Sequence, residues 1–239
     1  MDFDYSVLDN NEKIIFALRS LYSKRGYKKF RMSKFEEYDL YSRNKDFLLS
    51  DSVITFTDTN GKLLALKPDV TLSIIKNNRY SDEKIQKLYY NENVYRVSKG
   101  TNTFKEIMQA GLECIGDVDD SCIGEVLLLA AESLGRICGD YVLDVSHLDL
   151  LSAFNDYTGC ERETAKQLIK CIGEKNAHGI EEICLANGIS PDKFNPLKKL
   201  VAVYGSACET MPVIKELAAS IGAQDAAESL EKALSVFDG

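Results

Sequence analysis

The sequence lacks several patterns that define common enzyme classes. It contains only two histidines, His147 and His178. The motifs HExxH, Gly-x-Ser-x-Gly, GxGxxG and the P-loop are all absent. Neither histidine stands at metal-ligand spacing from a cysteine or a second histidine. We therefore predict no metal site and no cofactor. We expect His147 to be a packed core residue on a strand and His178 to be solvated.

The chain also lacks the features of membrane and secreted proteins. No run of about 18 apolar residues is present, and the acidic start of the chain has no apolar signal core. The seven cysteines are odd in number, and no two of them stand at CxxC spacing. This usage is typical of reduced thiols, so we expect a cytoplasmic protein.

Basic charge is too scarce for a general nucleic-acid-binding surface. The net charge is −8, and the isoelectric point is about 5.0. Broad binding to DNA or RNA requires a basic face, so we expect no strong nucleic-acid binding. The 239 residues, 45% of them hydrophobic, are enough for one large domain or for a domain with an appendage.

The patterning changes near residue 150. Before it, a capped helix at 10–25 precedes strand-like segments that include a hairpin around Asn60-Gly61 and long runs at 87–98 and 104–116. A helix at 121–137 and a strand at 141–148 follow. After it, the pattern is one of short helices with breaks at glycines. The sequence predicts an α+β fold, with an antiparallel sheet flanked by helices in residues 1–150 and a small helical segment in 151–239.

One face of the strand at 104–116 carries an unusual mixture of side chains. Residues two apart share a face, which places Gln109 and Glu113 beside isoleucines and around Gly111. If the preceding strand pairs so that Arg96 faces Lys105, the arginine joins that face. Two interpretations stay open: a ligand site, with Gly111 leaving room for a close approach, or a solvated face with cross-strand charge pairs.

Asp69 also has two interpretations. It follows Pro68 between an apolar strand and a helix at 70–78, which is the position of a helix N-cap. Its carboxylate could equally hold the ammonium group of a ligand, since a capping carboxylate can keep one oxygen free.

Four stretches together resemble the class II aminoacyl-tRNA synthetases, specifically the histidyl branch. GYKKFRMSKFEEYDLY resembles the first motif, which forms the dimer interface, and TDTNGKLLALKPDVT resembles the amino-acid-binding turn. VYRVSKGTNTFKEIMQAGLECIG resembles the second motif, and DVDDSCIGEVLLLAAESLGRICGDYVLDVSHLDLL resembles the helix and strand after it. Residues 161–237 resemble the inserted helical segment of that branch.

The resemblance implies a class II synthetase-like core and a site for histidine. The site residues carried over are Asp69 and Thr71 for the ammonium group, Gln109 and Glu113 beside it, and Arg96 near the carboxylate. An anion for the amine and a cation for the carboxylate are what a zwitterion requires.

The sequence departs from the synthetases where they bind ATP. Their loop of the type R-P-x-x-G-R-x-R is VSKGTNTFK here, and only Lys99 and Lys105 remain as cations. Ser33 stands where the first motif usually has proline, and Asp69 where synthetases usually have Glu. The RGLDYYTG segment, the third motif and the anticodon-binding domain are not in the sequence. We therefore expect a core that lacks its third motif and has no catalytic residues.

These departures are typical of the noncatalytic regulatory subunits of ATP phosphoribosyltransferase, a synthetase-like family of histidine biosynthesis. That resemblance implies a short-form catalytic subunit as partner, a homodimer or larger assembly, and a binding role for free histidine. Two alternatives stay open. The chain could be the front part of a histidyl-tRNA synthetase, or a separate amino-acid sensor or interaction protein.

Overall fold

The computed structural model describes residues 5–44, 53–78, 84–98 and 101–238. The chain divides into two compact units, Met1–Tyr141 and Val142–Gly239. The sequence-based prediction placed this division between residues 150 and 151.

The described residues form four α-helices in the first unit and six in the second. In chain order they are α1 (Asn10–Lys24), α2 (Tyr38–Ser42), α3 (Thr71–Asn78), α4 (Asp120–Ile137), α5 (Leu148–Tyr157), α6 (Arg162–Gly173), α7 (Ala177–Ala186), α8 (Pro191–Ala202), α9 (Ala207–Ser220) and α10 (Gln224–Leu234). Short 3₁₀ turns occupy Tyr5–Val7 and Ser235–Phe237.

The described strands form two three-stranded sheets in the first unit. They are β1 (Lys28–Lys29), β2 (Phe35–Glu37), β3 (Thr55–Thr57), β4 (Leu63–Leu66), β5 (Ile85–Val97) and β6 (Phe104–Gly116). One sheet has the order β1-β5-β6, with β1 parallel to β5 and β6 antiparallel to it. The other has the order β2-β4-β3 and is antiparallel throughout. The long hairpin of β5 and β6 positions most of the candidate site.

Local sequence signals account for the ends of several elements. Asp9 and Glu12 form the capping box predicted for α1, with reciprocal bonds of 2.8 and 3.0 Å. The hairpin between β3 and β4 turns at Asp58, whose carboxylate accepts hydrogen bonds from the backbone of Asn60 and Lys62. Gly61 has φ of +82°, a conformation that glycine adopts at little cost.

The predicted strand at 141–148 is wrong. Residues 141–147 are neither helix nor strand, and α5 begins at Leu148. His147 is accordingly half-buried and is not a packed strand residue. Its Nδ1 accepts a hydrogen bond from the backbone of Leu150 at 3.3 Å, so the residue caps α5. The alternation that suggested a strand survives only as partial burial of Leu143, Val145 and His147.

The second unit is built from α5 to α10 around one apolar cluster. Each of these six helices contributes two buried side chains, namely Leu150, Phe154, Leu168, Cys171, Ile180, Cys184, Phe194, Leu197, Met211, Ala218, Ala227 and Leu230. The helix breaks fall near the predicted glycines. His178 is exposed, as expected, and pairs with Glu182.

The first unit has smaller clusters. One joins α1, β5 and α4 through residues such as Leu18, Tyr89 and Leu129. A second lies between α3 and β5, and a third joins α2, β4 and α3. Among the described residues, no helix is long and apolar enough to cross a membrane. All seven cysteines are free thiols.

Candidate functional site

The register of β5 and β6 brings the predicted polar face together. Arg96 lies opposite Lys105, and Glu92 lies opposite Gln109. Further along, Leu88 lies opposite Glu113. The condition set in the sequence analysis, that Arg96 faces Lys105, is therefore met, and the arginine shares a face with Gln109 and Glu113.

Asp69 sits at the start of α3, in the role that its local sequence predicted. Its Oδ1 accepts a hydrogen bond from the backbone N–H of Leu72 at 3.2 Å. This bond satisfies one of the free N–H groups at the helix start. It uses one carboxylate oxygen, so capping and ligand binding are compatible at this residue.

Thr71 and Glu113 connect the first turn of α3 to β6. The hydroxyl of Thr71 donates a hydrogen bond to Oε1 of Glu113 at 2.7 Å. Burial raises the pKa of the Glu113 carboxyl above its ordinary value. The bond from Thr71 opposes this rise, and the negative charge of Asp69 adds to it. The carboxyl groups of Asp69 and Glu113 and the hydroxyl of Thr71 therefore lie close to one another.

Arg96 connects the end of β5 to the turn before α3. Its Nε donates a hydrogen bond to the carbonyl oxygen of Pro68 at 3.2 Å. Its Nη2 is buried and has no partner within the described part of the chain. The same is true of Oε1 of Gln109. A buried polar atom without a partner costs free energy, so both atoms are candidates for ligand contacts.

Sequence reasoning missed a buried ion pair beside these residues. The Lys67 side chain is fully buried, and its ammonium lies 3.2 Å from Oε2 of Glu92. The available signal was alternation along β4, because Lys67 follows the buried Ala65 by two residues and so points to the same side. The pairing with Glu92 could not be read from the sequence.

Gly111 provides space for a side chain of the protein itself. A Cβ at this position would lie 2.6 Å from the hydroxyl oxygen of Tyr90, the residue opposite it in the sheet. Tyr90 is buried, and burial together with the charges of Glu113 and Asp69 raises its pKa to about 12. The room at Gly111 is therefore filled by Tyr90, which forms part of the floor of the site.

The arrangement suits a small zwitterion. Asp69 and Glu113 have carboxylate oxygens for an ammonium group, and the guanidinium of Arg96 lies on the face of Glu113 as a counter-charge for a carboxylate. Within the described ranges, no group of His, Cys, Asp and Glu side chains has the arrangement of a metal site. Lys99 and Gly100 of the loop between β5 and β6 lie outside the described residues.

The long antiparallel hairpin of β5 and β6 and the acidic turn at the start of α3 agree with the class II synthetase-like fold predicted from the sequence. The chain belongs to the histidyl-tRNA synthetase family, whose model matches residues 2–239.

Individual relatives agree with this assignment. The chain is 26% identical to the ATP phosphoribosyltransferase regulatory subunit of Ruminiclostridium cellulolyticum, over 92% of this chain and 54% of that protein. It thus spans about half the length of the curated relative. Among solved structures, a regulatory subunit/histidyl-tRNA synthetase from Bacillus halodurans matches with a TM-score of 0.79 and 21% identity, over 100% of this chain and 66% of that one.

The ATP phosphoribosyl transferase (HisG:HisZ) complex from Thermotoga maritima also contains a similar chain. It matches with a TM-score of 0.70 and 19% identity, over 97% of this chain and 77% of that one. The likeness to these structures shows that this chain has the predicted class II synthetase-like α+β fold.

Proposed function

We propose that this chain is a noncatalytic regulatory subunit that assembles with a short-form ATP phosphoribosyltransferase catalytic subunit and binds free histidine weakly. The name of the Ruminiclostridium relative and the complex from Thermotoga support the regulatory role and the partner. The free thiols fit a reducing compartment such as the cytoplasm.

One observation carries the ligand-binding part of the proposal. The unpartnered Nη2 of Arg96 and Oε1 of Gln109 are buried on the face that also holds the Thr71–Glu113 bond. The arginine would receive the carboxylate of the amino acid, and Asp69 and Glu113 would receive its ammonium group. Gln109 would accept a hydrogen bond from the ligand, which gives its orphaned oxygen a partner.

The same site is poorly equipped for activating histidine with ATP. ATP carries several negative charges that synthetases neutralise with arginines, and the segment at 97–105 contains none. We therefore infer that the fold retains amino-acid binding without the chemistry of aminoacylation.

Histidine titration by calorimetry tests the ligand site. We expect a dissociation constant of about 0.1–1 mM for the wild type. Asp69→Ala should weaken binding by about tenfold or more, because a charge-assisted hydrogen bond is lost. Asp119→Ala is the matched control, since Asp119 caps α4 through the backbone of Cys122 at 2.9 Å. This variant should lose a helix cap and keep its affinity for histidine.

Two results would contradict the proposed ligand site. Micromolar binding that survives Asp69→Ala would place histidine elsewhere. An absence of binding, both in the free chain and beside the catalytic subunit, would leave a scaffold without a ligand.

Complex formation tests the proposed partner. Sedimentation of the chain mixed with the short-form catalytic subunit from the same genome should give a species heavier than either protein alone. Independent sedimentation at tens of micromolar, with no change in phosphoribosyltransferase activity, would refute the regulatory role.

Self-association is the remaining part of the proposal. One face of the β2-β4-β3 sheet exposes Phe35 and Phe56. Phe35 lies in the segment that resembles the dimer motif, and Phe56 lies on β3 outside it. Their rings meet edge to face at 5.7 Å. Exposed paired aromatics are typical of interaction surfaces. Light scattering should give a mass above 26.7 kDa. Phe56→Lys should lower this mass toward that of the monomer. Leu185→Lys is the control, because Leu185 is also an exposed apolar residue but lies on α7, and this variant should leave the mass unchanged.

The family itself supports a second candidate function, a histidine–tRNA ligase fragment, because its model describes histidyl-tRNA synthetase. Histidine-dependent exchange of pyrophosphate into ATP separates the two functions. We expect no exchange above a buffer control. Clear exchange by the purified chain would establish histidine activation, the first half of the ligase reaction, and overturn the noncatalytic interpretation.

A further inference from the structure

Two cysteines of the first unit, Cys114 and Cys122, lie on faces of β6 and α4 that pack together. Cys114 is opposite Lys87 in the pairing of β5 with β6, so these two side chains share a face of the sheet. Cys122 and Glu125 are three residues apart and share a face of α4. The ammonium of Lys87 donates a hydrogen bond to Oε2 of Glu125. This bond places the cysteine-bearing face of α4 against the cysteine-bearing face of the sheet.

Apolar packing continues the same contact along both elements. Leu129 of α4 is fully buried in one cluster with Tyr89, and Leu112 packs against that cluster. Tyr89 lies opposite Leu112 in the sheet, two positions along from the pair of Lys87 and Cys114. The position of α4 on the sheet is therefore fixed both by an ion pair and by apolar packing.

The two thiols interact with each other and with a cation. Burial and a hydrogen bond with Cys122 raise the pKa of the Cys114 thiol above its ordinary value, and the charge of Lys87 opposes this rise. The pKa of Lys87 is raised by its bond to Glu125 and also by the charges of both cysteines. The ammonium thus lies near both sulfurs, and a neighbouring cation favours the thiolate, which is the nucleophilic form of cysteine.

The pair lies near the surface but is largely shielded. Cys114 is half-buried, and Cys122 is 6% exposed. A surface pocket lined by Lys87 and Cys122, among others, opens to solvent beside them. Burial of this degree disfavours a bulky oxidant such as glutathione disulfide and favours a small one such as hydrogen peroxide.

We propose that Cys114 and Cys122 form a reversible oxidation site, at which hydrogen peroxide converts the two thiols into a disulfide. One thiolate attacks a peroxide oxygen, which breaks the O–O bond and gives a sulfenic acid and water. The second thiolate attacks the sulfenic sulfur, which forms the S–S bond and releases a second water. Two electrons pass from the sulfurs to one peroxide molecule. Small thiols reverse the change by exchange, as in the transient disulfides of redox-sensing proteins.

Peptide mapping of the full chain tests the proposal. Trypsin releases residues 106–136 as one peptide, which contains Cys114 and Cys122 and no other cysteine. Cleavage before the aspartates at 117, 119 and 120 then separates the two cysteines. After peroxide treatment, blocking of free thiols and digestion, we expect the two fragments to stay joined until a reducing agent is added. A disulfide needs Cβ atoms about 3.5–4.5 Å apart, so the linkage also measures the approach of α4 to β6.

Variants and unfolded chain provide the controls. Cys114→Ser and Cys122→Ser should each abolish the linkage. Cys160→Ser is the matched control, because Cys160 is also a half-buried free thiol but lies in the second unit, and this variant should keep the linkage. In concentrated urea the same treatment should give a mixture of cysteine pairings, because packing no longer selects one pair.

Three results would overturn the proposal. The first is that Cys114 and Cys122 both remain free after the exposed Cys138 and Cys208 have been oxidised. The second is oxygen addition to either sulfur of the pair without a linkage. The third is the same mixture of pairings in the folded chain as in urea. If a serine variant does not fold, mapping of the wild type with and without urea still decides the matter.

Discussion

The two units of the chain use buried polar groups in different ways. In the first unit, a fully buried lysine pairs with Glu92, and Arg96, Gln109 and Glu113 surround a polar face between small apolar clusters. In the second, six helices share one apolar cluster. Buried charge is costly to maintain, and it is concentrated in the first unit, on the face where we propose the amino-acid site.

The largest expected effect is a loss of stability caused by a core substitution in the helical unit. Phe194 is 1% exposed at the centre of the apolar cluster. Phe194→Ala should lower the free energy of unfolding by about 3–5 kcal/mol, through lost burial and a new cavity. Urea unfolding followed by circular dichroism measures this loss.

Val213→Ala is the control for this variant, because Val213 is 45% exposed on α9. It should change the stability by less than about 0.5 kcal/mol. A variant of Phe194 that folds but loses histidine binding in the first unit would break the comparison, since the units would then not be energetically separate.

A somewhat smaller effect is expected at the buried ion pair of the first unit. Glu92→Gln leaves the ammonium of Lys67 buried without its counter-charge. The loss of stability should be about 3 kcal/mol, since an uncompensated buried charge is more costly than the pair. Chemical denaturation at neutral pH measures it.

The matched control removes both charges. In the double variant Lys67→Met, Glu92→Leu, apolar groups replace the pair, and stability should return to within about 1 kcal/mol of the wild type. If the double variant were as unstable as Glu92→Gln, the loss would come from packing and not from charge.

The smallest expected effect is a pH dependence of the folding stability that arises from Glu113. Its pKa is raised in the folded state, chiefly by burial, so the folded protein holds this proton more tightly than the unfolded chain. Stability from this group is present at low pH and is lost as pH rises above the unfolded value of about 4.3. Glu113→Gln should therefore gain stability relative to the wild type as pH rises toward neutrality.

Glu106 gives a control of opposite sign on the same strand. Hydrogen bonds from Asn93 and Tyr95 lower its pKa in the folded state. Its contribution is present above the unfolded value and is lost as pH falls through the folded one. Glu106→Gln should therefore lose stability relative to the wild type as pH rises. Unfolding curves at several pH values would contradict this account if the two variants shifted in the same direction.

Much of the fold followed from local signals. The capping box of Asp9 and Glu12 and the Asn-Gly turn of the hairpin depend on neighbouring residues, and both were predicted correctly. The strand predicted at 141–148 failed because alternation also arises where a segment passes beside a helical unit and buries every second side chain only in part.

The sequence by itself determined which residues share a face of β6 and that Asp69 stands at a helix start, because strand alternation and helix capping depend on positions a few residues apart. Only the tertiary structure decided that Thr71 donates to Glu113 and that Tyr90 fills the space over Gly111. These features join atoms far apart along the chain, and their partners are chosen by packing in three dimensions.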